Sequence, residues 1–289
     1  MIGTGNDTDI RITLGTSDVE IYLGDEKVYP NTPPDYSLMY FTTEGIYDEN
    51  TVIELTNYTS AFEYSKDGVE WHSTGTSGTV FNLGLRPGEK GYWRCTNPNI
   101  DSTNGIGHFN GTRPFKVYGN IMSLVYGENF EGQTSLSGKS NIFRNLFSNN
   151  QNLMEAENLV LPATTLASSC YRNMFDGCTS LTTAPVLPAT TLTTSCYGSM
   201  FEGCTSLTTA PELPATTLVN YCYNYMFQNC TSINYIKAMF TTTPTSTYTG
   251  NWVNGVSATG TFVKNSAATW TDVGTYAVPS GWTIQTANS

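Results

Sequence analysis

Residues 161–186 read LPATTLASSCYRNMFDGCTSLTTAPV and residues 187–212 read LPATTLTTSCYGSMFEGCTSLTTAPE, identical at 20 of 26 positions. A third copy starts at Leu213 (LPATTLVNYCYNYMFQNCTSINYIKA) and loses its likeness after Cys230. Upstream, residues 145–153 (NLFSNNQNL) align with residues 173–181, and two extra residues then precede Leu161. A period this short cannot bury its own apolar side chains, so the copies must cover one another, with atypical copies at the ends. Residues 26 apart are therefore expected to lie over each other.

Each copy reads as a strand, a short helix and a strand. The runs Ala163–Leu166 and Leu181–Val186 are Thr-rich, strand-like and bounded by proline. Between them, Ser169–Gly177 is expected to be a brief helix, with Ser169 capping its start and Gly177 ending it. The pairs Cys170/Met174 and Tyr171/Phe175 would then share a buried face at i,i+4 spacing. Six of the seven cysteines alternate at spacings of 8 and 18. Eight residues of largely helical chain span roughly 12 Å, too far for a disulfide, and zinc sites prefer two to four intervening residues. The expectation is a ladder of buried free thiols at Cys178, Cys204 and Cys230, alongside Phe175, Phe201 and Phe227. Cys95, in GYWRC, is expected in a buried strand.

The pattern L-P-x-x-x-x-L…C-Y-x-x-M-F-x-x-C-T-S-L resembles the BspA-like leucine-rich repeats, whose usual repeat is somewhat shorter than 26 residues. The closing trios would be Phe175/Cys178/Leu181, Phe201/Cys204/Leu207 and Phe227/Cys230/Ile233. The resemblance, over roughly residues 135–240, implies a scaffold with a recognition surface.

Before the repeats, residues 36–120 alternate strand-like runs and turns: Ser37–Thr43, Thr51–Leu55, Ala61–Ser65, Val69–His72, Thr79–Leu83, Gly91–Cys95 and Pro114–Tyr118. Lys66-Asp67-Gly68 is a hairpin turn signal. Some seven short strands predict an immunoglobulin-like or fibronectin-like β-sandwich. Residues 1–35 hold two alternating runs and a Pro-rich break, Pro30–Pro34, that reads as a linker. The segment Val19–Tyr29 resembles a short module at the start of many phage tail and other virion proteins. With the LPATTL repeats and the closing GTFVKNSAATW…VPSGWTIQTA, the chain resembles proteins of tailed phages and prophages of gut bacteria. The expected organisation is mainly β: an N-terminal attachment module (1–35), a sandwich (36–120), a leucine-rich-repeat solenoid (121–240) and a C-terminal β cap (241–289).

Charge narrows the function. Lys plus Arg number 13 against Asp plus Glu 24, a net charge of −11. Such a surface repels phosphate backbones, so no nucleic-acid partner is expected. Residues 1–50 carry ten acids and two bases, whereas residues 161–240 carry five charges in all. The start MIGTGNDTDIRITLG has neither the basic nor the apolar region of a secretory signal, and no apolar run would span a membrane. The protein is expected to be made in a host bacterial cytoplasm and to reside in a virion, with no membrane partner. The sequons at Asn6, Asn57, Asn110 and Asn229 would matter only in a secretory pathway.

No catalytic constellation emerges. The stretch 132–140 (GQTSLSGKS) has glycines six apart rather than the five of a phosphate-binding loop, and no parallel strand feeds it. The run Asn6-Asp-Thr-Asp9 lacks the glycine and distal glutamate of a calcium loop. His72 reads as an ordinary strand residue and His108 as a loop residue. No cofactor or metal is expected. Positions differing between copies (167/193/219, 168/194/220, 172/198/224, 173/199/225 and 176/202/228) are expected to be exposed. In the third copy these place Asn220, Asn224 and Tyr225, with Tyr221 replacing serine, on a candidate recognition surface. The function expected is a non-enzymatic tail-fibre or head-fibre component. It would contact other virion proteins through the N-terminal module, self-associate, and present its repeats to a host glycan or protein. The alternatives are a bacterial surface adhesin and a polysaccharide-degrading spike, for which the repeats hold few acids (Asp176, Glu202, Glu212).

Overall fold

The computed structural model describes residues 35–58, 61–75, 80–96 and 105–287, with the backbone of three strands before them. These are β1 (Ile10–Leu14), β2 (Val19–Leu23) and β3 (Glu26–Lys27), an antiparallel sheet in that order. The Asn6–Asp9 run and the Pro30–Pro34 break lie outside the described residues. The protein is mainly β, with several sheets and, among the described residues, no barrel.

The next strands are β4 (Phe41–Gly45), β5 (Thr51–Thr56), β6 (Phe62–Ser65), β7 (His72–Ser73), β8 (Val80–Leu85), β9 (Lys90–Cys95), β10 (His108–Gly111) and β11 (Phe115–Asn120), with period-two burial clearest in β5, β9 and β10. Two antiparallel sheets result, β10-β5-β8 and β11-β4-β9-β6-β7. They share a core in which Trp93 of β9 meets Phe109 of β10 edge-on at 5.0 Å and Phe41 of β4 meets Phe109 at 5.2 Å. The buried indole Nε1 of Trp93 donates to Thr43 Oγ1 at 3.0 Å. Cys95 is buried at the end of β9, as expected.

Three local expectations are corrected. Residues Tyr36–Leu38 form a 3-10 turn, so strand begins only at Phe41; the Asp35 carboxylate accepts from the Ser37 amide at 3.0 Å and holds the turn. The hairpin turn after Ser65 runs longer than three residues, because the Asp67 carboxylate accepts from the Val69 and Glu70 amides, both at 2.8 Å. Strand therefore resumes at His72 rather than Val69. His108 is a strand residue, paired with Thr56.

β11 is where the two halves fuse. One edge pairs antiparallel with β4 and the other pairs parallel with β12 (Leu153–Glu155) and β13 (Leu159–Val160). Between them α1 (Ser123–Tyr126) is one helical turn, and its Ser123 hydroxyl donates to the Trp93 carbonyl at 2.8 Å. The parallel column continues through single bridges, Glu155 with Thr183 and Thr209 with Tyr235, into β14 (Tyr235–Ala238). After α2 (Ser246–Thr249) come β15 (Thr261–Lys264) and β16 (Thr283–Thr286), parallel in the order β14-β15-β16. The strand-like runs 163–166 and 181–186 thus shrink to single bridges at Thr165 and Thr183. Proline at 162, 185 and 188 supplies no amide for a longer ladder.

The expected helix at 169–177 is not a helix. The backbone is left-handed at every fourth residue: Ser169, Asn173 and Gly177 in the first copy, Ser195, Ser199 and Gly203 in the second, Tyr221, Tyr225 and Asn229 in the third. Upstream, Asn141, Asn145 and Asn149 do the same. The amides of even-numbered residues close β-turns, as Arg172 to the Ser169 carbonyl at 3.2 Å and Met174 to Tyr171 at 3.3 Å. The amides of odd-numbered residues reach the next copy, as Tyr171 to the Cys196 carbonyl at 3.0 Å and Phe175 to Met200 at 2.8 Å. Alternate turns have their left-handed residue third, which is what a type II turn requires. Side chains at 170, 171, 174, 175 and 178 point inward and are buried. A four-residue period gives the same i,i+4 apolar pairs as a helix, which is why the two are confused.

The stack runs from about residue 135, where Ser135 bridges Thr165, past the expected boundary at 240. Tyr223 and Phe227 donate to the carbonyls of Tyr248 and Trp252 at 3.1 and 2.8 Å, and Asn251 and Gly255 are again left-handed. Residues 106–109 cover the upstream end, the Phe109 amide donating to Leu146 at 2.8 Å and His108 Nδ1 lying 2.9 Å from the Asn145 carbonyl. Downstream, the Trp252 indole donates to the Ala277 carbonyl at 3.0 Å.

Candidate functional site

Stacking aligns identical side chains into columns. Phe147, Phe175, Phe201 and Phe227 lie face to face at 5.3, 5.3 and 5.9 Å, and Tyr171, Tyr197 and Tyr223 at 5.7 and 6.0 Å. All seven cysteines are buried, and the six of the repeat copies form no disulfide. Cys178, Cys204 and Cys230 donate their thiols to the carbonyls of Phe147, Phe175 and Phe201 at 3.0, 3.1 and 2.8 Å, one copy back. Burial pushes the Cys178 and Cys230 thiols up to about 12, far from reactive thiolate. These columns are structural. The stretch 132–140 is likewise part of the stack, with Ser135 bridged to Thr165.

The outward positions are where the copies differ. The structure exposes 168, 194 and 220 as expected, but Ala167 is buried, as are Gly198 and Ser199. A concavity of about 280 Å³ opens across three copies. Arg172 of the first copy forms one end, and Ser195, Gly198 and Ser199 of the second its middle. Tyr221, Asn224 and Tyr225 of the third form the far wall. Asn220 is exposed but lies outside the concavity; its carbonyl accepts from the Ser195 amide at 3.1 Å. Three of the four residues singled out from sequence are thus brought together.

The depression exists because glycine occupies position 198, between Arg172 and Asn224 on neighbouring copies. A Cβ built at Gly198 would meet nothing closer than 3.5 Å, so backbone geometry does not demand glycine there. The tyrosines are more telling. Tyr221 and Tyr225 have φ of 58° and 59° and are 48% and 39% exposed. In the other copies these two positions hold serine or asparagine. Bulky side chains rarely adopt this backbone, and their presence carries strain. The sequence signal for the tyrosines was their departure from the repeat; Arg172 and Gly198 were visible only as a variable position.

Arg172 Nε donates to Asn173 Oδ1 at 3.2 Å, and Asn173 Nδ2 donates to Asp176 Oδ2 at 3.2 Å. Partial burial raises the Asp176 carboxyl, and burial with the Asp176 charge raises that of Glu202 on the next copy. Glu212 is paired with Lys237 at 3.0 Å. Among the described residues no group of three His, Cys, Asp or Glu side chains is placed to hold a metal ion. No helix there is long and apolar enough to cross a membrane. No family model, curated protein or solved structure matches this chain.

Proposed function

We propose that the chain is a non-enzymatic recognition protein of the virion-fibre kind, whose third repeat copy meets a host surface glycan or protein. On this reading residues 1–35 attach it to other virion proteins and residues 36–120 are an immunoglobulin-like sandwich acting as spacer. The stack from about residue 135 is a leucine-rich-repeat solenoid of BspA-like type, and multiple copies on one particle gain avidity. The observation that carries the reading is the pair of exposed tyrosines on left-handed backbone beside a concavity. A bulky ring on this backbone is peculiar to the third copy, where the other copies carry serine or asparagine, and it marks a position held for contact rather than for folding.

The test replaces both tyrosines with the first copy's residues, Tyr221→Ser with Tyr225→Asn. Stability should rise by at most about 1 kcal/mol at position 225, where asparagine suits left-handed backbone, and stay nearly level at 221, where serine keeps a Cβ, read from melting temperatures. Binding to the host surface should fall by tenfold or more, roughly what loss of two interface aromatics costs. A double variant that binds as well as the parent would overturn the proposal. The polysaccharide-degrading alternative has one observation in its favour: Asp176 and Glu202 sit on adjacent copies with raised carboxyl pKa values. Release of oligosaccharides from capsular polysaccharide would decide for it.

A further inference from the structure

The concavity ends at Arg172, and a second arginine holds the same register position one turn upstream of it. Asn145 donates its amide to the Arg172 carbonyl at 3.1 Å, so Arg144, one residue before, occupies on the upstream turn the position that Arg172 holds on the first copy. Arg144, Arg172, Gly198 and Asn224 therefore form one column, roughly 15 Å from end to end at the spacing of stacked strands, with Arg172 its exposed member. Neither arginine is in an ion pair with a carboxylate among the described residues, whereas Arg94 and Arg113 are. Arg144 Nε is buried with no acceptor. Arg172 is the one basic residue between 161 and 236 and is exposed. Asp176, the nearest carboxylate in sequence, is held instead by Asn173.

An unneutralised pair of guanidinium groups leads into a trough walled by two tyrosine rings, on a protein of net charge −11. Guanidinium recognises carboxylate through paired hydrogen bonds, and tyrosine offers a flat face for an apolar ring surface with a polar tip. We infer that the face from Arg144 to Tyr225 binds an extended acidic polysaccharide, with carboxylates of successive sugars on Arg144 and Arg172 and a sugar ring against Tyr221 and Tyr225. This deepens the recognition reading above and rests on it. The glycine at 198 lets the chain pass between the two ends.

The test measures binding of the full chain to polygalacturonate, dextran and dextran sulfate by calorimetry at two salt concentrations. Polygalacturonate should bind, more weakly at high salt, and dextran should not. Arg172→Gln and Arg144→Gln should each weaken binding roughly tenfold, the usual effect of losing a charge-assisted hydrogen-bond pair. Gly198→Leu, whose Cβ is accommodated, should block the trough. Unchanged melting temperatures would show that all three variants fold. Binding to dextran that is lost in the tyrosine double variant but kept in Arg172→Gln would overturn the acidic ligand and leave the recognition reading standing. Tighter capture by dextran sulfate would overturn the choice of carboxylate. No binding to any polymer would overturn the inference, and loss of host-surface binding as well would take the recognition reading with it.

Discussion

The antiparallel sheets of residues 41–120 and the turn stack that follows solve the same problem by opposite means. In the sheets every buried ring meets a different partner: Phe109 touches Phe41, Trp93 and Phe147, each from a different segment. Inside the stack a buried ring meets a copy of itself, Phe201 between Phe175 and Phe227, and only at the ends a different ring, as Tyr171 meets Phe143. The sheets take specificity from shape, the stack from register. A core of unique contacts tolerates no rearrangement, whereas a column of identical contacts could slip by a whole copy unless its ends are fixed. Here β11 fixes one end by belonging to both regions, and Trp252, hydrogen-bonded to Ala277, closes the other.

The largest expected effect tests whether the two regions are energetically one. Phe109 and Phe201 are both fully buried, and truncating either to alanine should cost about 4 kcal/mol from lost transfer energy and cavity. Because β11 and the Phe109–Phe147 contact join the regions, both variants should show a single thermal transition, lowered by similar amounts. Two separate transitions, with Phe201→Ala moving only one of them, would break the coupling. Hydrogen exchange sharpens the contrast: Phe201→Ala should loosen the amides of 175 and 227 on the flanking copies.

A smaller effect concerns the thiols that the stack uses as hydrogen-bond donors to its backbone. The Phe175 carbonyl already accepts from the Cys178 amide at 3.0 Å and takes the Cys204 thiol as a second donor. Losing that thiol therefore orphans nothing, and Cys204→Ala should cost about 2 kcal/mol, mostly from the cavity. Cys204→Ser keeps the donor and should cost less, about 1 kcal/mol, with denaturant midpoints ordering the two. A serine variant less stable than the alanine variant would mean that the thiol is there for apolar volume alone. Burial raises the Cys170 and Cys178 thiols to about 12, so alkylating reagents should label them only after unfolding.

The same contrast explains what was legible in the sequence. Repetition made the columns of Phe175, Cys178 and Leu181 readable, because identity between copies survives only where each residue must fit its twin. The four-residue period was hidden, since Cys170/Met174 and Tyr171/Phe175 suit a helix equally well. The discriminating signal was Asn173 and Gly177, four apart, poor helix formers that tolerate left-handed backbone. The turn at Asn251–Gly255 carries the same spacing and was missed because its apolar residues, Trp252 and Val253, match none of the copies. In the sheets, alternation exposed most strands, but β10 lay in the Gly-rich run GIGHFNG, where turn-forming glycines masked the pairing of His108 with Thr56. Of the candidate site, the tyrosines were visible as departures from the repeat. Arg144 was not, because it lies outside the three obvious copies.

The smallest effect turns on a cost that only stacking can impose. Register places Asp176 and Glu202 one copy apart on the same face, where partial burial raises both carboxyl pKa values and the Asp176 charge adds to the shift at Glu202. A carboxyl raised in the folded state contributes stability below its unfolded pKa and loses that contribution as pH rises through the folded value. The pair is therefore most costly at neutral pH, and neutralising it should help there and do nothing in acid. Asp176→Asn with Glu202→Gln should melt higher than the parent at pH 7, by no more than about 2 °C because both groups are partly in solvent. The difference should vanish near pH 3. Comparing variant with parent at each pH cancels the opposite trend from Asp67, whose carboxyl is lowered to about 2 by the Val69 and Glu70 amides. A difference that persisted in acid would show that the two side chains act through packing, and the electrostatic distinction between the stack and the sheets would fail.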